Sequence, residues 1–137
     1  MKLEKSIMLP ADDSNLQNVN DFIHSFLPEN CDSTVLNQID LAVEEIFVNI
    51  AHYAYGEQGG EAFVSCSFAE NVLTVTFEDR GIPFNPLEKK DPDITLSAEE
   101  RKIGGLGIFL TKKFMDSISY VFKDGKNILS FSKNIIQ

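Results

Sequence analysis

Val43-Glu44-Glu45-Ile46-Phe47-Val48-Asn49-Ile50-Ala51-His52-Tyr53-Ala54-Tyr55 is the stretch on which the fold turns. Apolar residues recur here at helical spacing, at Val43, Ile46, Phe47 and Ile50, and the stripe runs back through Ile39 to Leu36. Asp32-Ser33-Thr34 offers a start and Gly56, with Gly59-Gly60 behind it, a stop, so the pattern predicts a long helix to about Tyr55. Glu45, Asn49 and His52 stand at i, i+4 and i+7, which places them on one face beside the stripe. A carboxylate and an amide oxygen one turn apart suit a magnesium–phosphate site, because magnesium takes hard oxygen ligands and keeps several waters. An ordinary solvated helix face gives the same pattern.

Upstream, Leu3 to Leu9 reads as a strand closed by Pro10, with Leu3, Lys5, Ile7 and Leu9 on one face. A first helix follows, capped within Asp12-Asp13-Ser14, striped by Leu16, Val19, Phe22, Ile23, Phe26 and Leu27, and ended by Pro28. Downstream, Ala62–Phe68 and Val72–Glu78 alternate as strands around a Glu70-Asn71 turn. An irregular stretch from Asp79 to about Ile103 then holds Pro83, Pro86 and Pro92. A loop of that length in a compact domain reads as a lid, placed at about 85–103, with a short helical turn around Ser97–Lys102. A third helix from the glycines to about Met115 and a hairpin over Ser117–Phe122 and Asn127–Lys133 complete the chain. The expected fold is a single α+β domain over residues 1–137, a two-layer sandwich with helices on one face of a mixed, mainly antiparallel sheet.

The 137 residues are enough for one core without staples. Eleven Phe and no Trp make that core Phe-rich. The net charge of −9 repels nucleic-acid phosphates and argues against a general DNA or RNA partner. Cys31 and Cys66 form no Cys-x-x-Cys pair and read as reduced thiols. With no signal-peptide pattern and no long apolar run, the expected location is the cytoplasm, without membrane attachment.

Two further motifs carry chemistry. Asp79-Arg80-Gly81 follows a strand, where an Asp can accept from a base amino group and a Gly admits a planar ring; it reads equally as a simple turn. Gly104-Gly105-Leu106-Gly107 opens a helix, where free amides and the positive end of the dipole attract phosphate; flexible helix entry is the alternative. It lacks the Gly-Lys-Ser/Thr of a Walker loop and the βαβ setting of a dinucleotide fingerprint. Lys89, Lys90, Arg101, Lys102, Lys112 and Lys113 cluster in sequence around these glycines and offset the overall acidity there.

Taken in order, the three motifs resemble the N box and the two glycine boxes of the GHKL ATPases, and the short single domain is most similar to bacterial anti-sigma-factor serine kinases. The resemblance implies ATP and Mg²⁺ as ligands, with Glu45 as general base and Asn49 holding the metal. It implies nucleotide contacts from Asn49, Tyr53, Asp79, Gly81, Pro83, Arg101, Lys102, Gly104, Gly105, Leu106 and Gly107. The implied activity is phosphorylation of an antagonist protein of the STAS type on Ser or Thr, with a sigma factor and a second copy of the chain as further partners. Two departures stand out: Tyr53 occupies the place of the family's His, with His52 before it, and Ile103 stands where the kinase branch carries an Arg before the glycines. The second departure supports an alternative, a nucleotide-gated partner-binding module.

Overall fold

The computed structural model describes residues 3–88 and 106–136. Strand β1 (Leu3–Pro10) leads through a 3-10 turn (Asp13–Asn15) into helix α1 (Leu16–His24). Helix α2 (Ser33–Asn49) continues without a break into a π-helical turn (Ile50–Ala54). Strands β2 (Glu61–Ala69) and β3 (Val72–Asp79), a 3-10 turn (Pro86–Glu88), helix α3 (Leu106–Phe114) and strands β4 (Ser117–Lys123) and β5 (Lys126–Asn134) follow.

The sheet has five strands in the order β1-β2-β3-β5-β4. Every described pairing is antiparallel, so the expected mixed character is absent among the described residues. The two hairpins turn on residues that accept positive φ: Glu70 at 52° with Asn71 at 68°, and Asp124 at 55° with Gly125 at 76°. Register then sorts the side chains. Val64, Cys66, Leu73, Val75, Phe77, Leu129 and Phe131 point to one face and form a single core with Val19, Ile23, Ile39, Val43 and Phe47 of the helices. Phe77 and Phe131 stack there, with ring centroids 6.4 Å apart. The opposite face carries a row of facing hydroxyls, Ser6, Ser65, Thr76, Ser130 and Ser119, one per strand.

Three expectations about the helices need correction. Helix α1 stops at His24, and Phe26 and Leu27 lie beyond it: a residue before proline is disfavoured in α conformation, so the chain leaves the helix in tighter turns such as Phe26 N–H to the Ile23 carbonyl at 3.0 Å. The buried stripe of α2 begins at Val35, while Leu36 is only half-buried. Asp32 is the cap of α2, accepting the Thr34 amide at 2.7 Å. The last turn before Gly56 is π rather than α, which rotates every side chain after Asn49. The expected helical turn at Ser97–Lys102 lies outside the described residues.

Two polar residues occupy inward positions of β5. Lys133 is 4% exposed, and its ammonium donates to the Phe114 carbonyl at 2.7 Å, at the negative end of α3. Asn127 is the other, and it belongs to the site.

Candidate functional site

A cleft opens between the end of α2, the ends of β3 and β5, and the segment after Asp79. Its walls are mostly apolar: Ile46, Ile50, Ala54, Phe77, Ile82 and Leu129, with Phe84 and Pro86 at one side. Asn49, Tyr53, Asp79, Tyr120 and Asn127 contribute the polar atoms. A concave, largely apolar site with a few convergent polar groups suits a flat organic ring with polar edges.

Asp79 is the last residue of β3 and is 7% exposed. Its Oδ1 accepts the Gly81 amide at 2.9 Å and the Asn127 side-chain amide at 2.9 Å. Asn127 also donates to the Ile82 carbonyl at 2.9 Å, while its own oxygen accepts the Phe84 amide at 3.1 Å and the Tyr120 hydroxyl. A buried amide has few ways to meet all its hydrogen-bonding capacity, and this one does so across three chain segments. It thereby fixes both the Asp79 carboxylate and the path of the chain from Gly81 to Phe84. In the sequence Asn127 stands simply at the start of a strand. The signal available was a polar residue in phase with Leu129 and Phe131, at an inward position.

The glycine at 81 is required for a reason the motif did not reveal. A Cβ there would overlap the Ala54 carbonyl group and come within 2.6 Å of the Ala54 Cβ. The Ile82 amide donates to that same Ala54 carbonyl at 2.9 Å. Gly81 therefore lets the turn dock against the end of the π-helical turn.

In the last turn of α2 itself, the Asn49 side-chain amide donates to Glu45 Oε1 at 3.3 Å. Both side chains are half-buried. Gly107, in the first turn of α3, lies directly against the Glu45 carboxylate, where a Cβ would come within 2.9 Å of its Cγ. The buried Thr111 hydroxyl donates to the Gly107 carbonyl at 2.7 Å and steadies that first turn. The start of α3, a carboxylate and an amide thus meet at one place.

Of the other residues singled out in sequence, Tyr53 lines the cleft and is 62% exposed. His52 does not share the Glu45–Asn49 face: the π turn carries its ring to Asp13, 2.7 Å away. Pro83 is exposed and stands outside the cleft lining, where Pro86 appears instead. Leu106 is 40% exposed at the start of α3. Arg101, Lys102, Gly104 and Gly105, with Lys89, Lys90 and Ile103, lie outside the described residues; Lys112 and Lys113 fall in the last turn of α3. Among the described residues no group of three or more His, Cys, Asp or Glu is placed to hold a metal ion alone. No helix among them is long and apolar enough to cross a membrane.

Residues 9–133 match the histidine kinase-like ATPase domain family, and the chain belongs to it. Membership in that family implies ATP binding. The relatives narrow the class. A serine-protein kinase RsbW of Listeria monocytogenes serovar 1/2a is 30% identical over 69% of this chain and 63% of that protein. One of Bacillus thuringiensis is 31% identical over 69% of this chain and 61% of the relative. The match thus spans less than two thirds of the length of these curated relatives. The crystal structure of the RsbU and RsbW domains of Rv1364c from Mycobacterium tuberculosis aligns with TM-score 0.66 over 97% of this chain and 32% of that one, at 14% identity. At that identity the likeness concerns the fold.

Proposed function

We propose that this chain is an ATP-dependent serine/threonine kinase of the anti-sigma type, acting on a small antagonist protein. The observation that carries the reading is the meeting of Glu45 and the Gly107 turn with Asn49, which together with Asp79 lines the cleft. Apolar walls and an acceptor-only carboxylate fit adenine, whose exocyclic amino group is a donor. The oxygens of Asn49 and Glu45 are hard donors of the kind magnesium accepts beside phosphates, so the residues present fit the ion. Bound there, magnesium would neutralise charge on the phosphates.

In this reading Asp79 receives the base and Asn49 holds the metal. Tyr53, Gly81, Arg101, Lys102, Gly104, Gly105, Leu106 and Gly107 are the proposed nucleotide contacts; Pro83 stands outside the cleft and is not among them. Glu45 takes the proton of a substrate hydroxyl as its oxygen bonds to the γ-phosphorus. The bond from that phosphorus to the β–γ bridging oxygen breaks, and ADP leaves. The relatives named serine-protein kinases support transfer to a protein serine; the proposed substrate is an antagonist of the STAS type, with a sigma factor and a second copy as further partners. The test is transfer of labelled phosphate from ATP to such an antagonist. Glu45→Gln is expected to lose about 10²- to 10⁴-fold in transfer at unchanged ATP affinity. Normal transfer by that variant refutes the base assignment.

Ile103 favours a second reading, a nucleotide-gated binding module, since a missing terminal-phosphate contact harms transfer more than binding. It predicts ATP-dependent capture of the antagonist with no phosphorylated product, and any turnover rules it out.

A further inference from the structure

Three successive amides of the turn after β3 have three different acceptors. The Arg80 amide donates to the Tyr55 hydroxyl at 2.8 Å, the Gly81 amide to Asp79 Oδ1 at 2.9 Å and the Ile82 amide to the Ala54 carbonyl at 2.9 Å. Two of those acceptors are neighbours at the end of the π-helical turn. Tyr55 itself is extended, with φ −121° and ψ 158°, which swings its ring off the helix. The ring lies across Gly60, where a Cβ would overlap it.

The Tyr55 hydroxyl also donates to the Glu61 carbonyl at 2.6 Å. The β2–β3 register pairs Ala62 with Asp79, so Glu61 and Arg80 are the next facing residues. The phenol stands between the carbonyl of one and the amide of the other, where the ladder would otherwise continue.

We infer that Tyr55 is a positioning residue for the Asp79 end of the cleft, its hydroxyl splitting the β2–β3 ladder so that the chain turns from β2 toward α2. This rests on the ATP reading of the cleft. Burial raises the phenol's pKa above its ordinary value, with the Arg80 amide acting in the opposite sense. The group therefore stays protonated and keeps its donor to Glu61. Without the hydroxyl, Arg80 is free to pair with Glu61 directly, drawing Gly81 and Ile82 away from Ala54 and re-aiming the Asp79 carboxylate.

The experiment is calorimetric titration of the whole chain and of Tyr55→Phe with ATP and with GTP. The substitution is expected to weaken ATP binding about tenfold, the scale of one lost hydrogen bond. The preference for ATP over GTP should shrink by the same factor, because the phosphate end is untouched. Unchanged ATP affinity overturns the inference. So does an equal loss for both nucleotides, which marks general loosening rather than re-aiming of the base edge. Failure of the wild-type chain to bind ATP overturns the reading of the cleft, and this inference with it.

Discussion

At the Asp79 end of the cleft, three consecutive amides and a buried asparagine are all paired, and the bonds tie together α2's end, β3, β4 and β5. At the Glu45 end, one contact of 3.3 Å joins the two polar side chains, and the rest of the geometry comes from α3 resting on Glu45 through Gly107. The first end is a lattice of short hydrogen bonds between chain segments far apart in sequence. The second is a packing arrangement with one polar link. A recognition edge fixed in advance spares the ordering cost when a ligand arrives. An end held by packing is tuned by volume, and one methyl group is enough to disturb it.

Asp79→Asn strikes the lattice most directly. Loss of a charge-assisted acceptor costs about 2–3 kcal/mol, so ATP affinity in a calorimetric titration should fall on the order of 100-fold. A fall below threefold would mean that the Asp79 end does not read the ligand. Gly81→Ala comes next: its methyl meets backbone at Ala54, which cannot swing aside, and overpacking of that kind costs about 1–3 kcal/mol. Thermal melting should show it as a drop of several degrees, and an unshifted melt breaks the claim that this end is rigid.

Gly107→Ala makes the matching probe of the packed end. Its methyl meets the tip of a flexible side chain, so the melt should stay nearly constant while Glu45 moves. Phosphate transfer should fall about tenfold, as expected for a base displaced from its hydroxyl. A large melting shift with normal transfer would reverse the contrast drawn between the ends.

The smallest effect tests the shared scaffold. Burial pushes the Cys66 thiol on β2 up from its ordinary 9.0 to about 12. The folded value lies above the unfolded one, so this contribution to stability is complete below pH 9 and is lost as pH rises toward 12. At about pH 10 the loss is on the order of 1 kcal/mol, and Cys66→Ala should flatten the decline in melting temperature between about pH 8 and about pH 10. An equal decline in both proteins would assign the alkaline loss to other groups.

Much of the fold was legible because its signals are local. Alternation over Ala62–Phe68 and Val72–Glu78, turn residues at Glu70-Asn71 and Asp124-Gly125, and the Ile39–Phe47 stripe each reflect neighbours in the chain. The end of α2 was misread for the opposite reason. Nothing within Ile50–Ala54 demands a π turn, and the feature that accompanies it, Ala54 accepting the Ile82 amide, lies 28 residues away in sequence. His52 was placed on the wrong face as a direct consequence. In the site, Glu45, Asn49 and Asp79 were visible as motif residues. Asn127, Tyr120 and Tyr55 were not, because each acts through a partner on another strand or helix.

By itself the sequence determined the strand and helix segments, a two-layer α+β plan and the order of three motifs that mark a histidine kinase-like ATPase domain. Hydrophobic period and turn chemistry are properties of adjacent residues, so they can be read along the chain. Only the tertiary structure decided that His52 pairs with Asp13, that Gly81 is small to admit Ala54, and that Asn127 holds Asp79. Those are matters of hydrogen-bond satisfaction between distant segments, and the sheet register and the π turn that bring them together have no local signature.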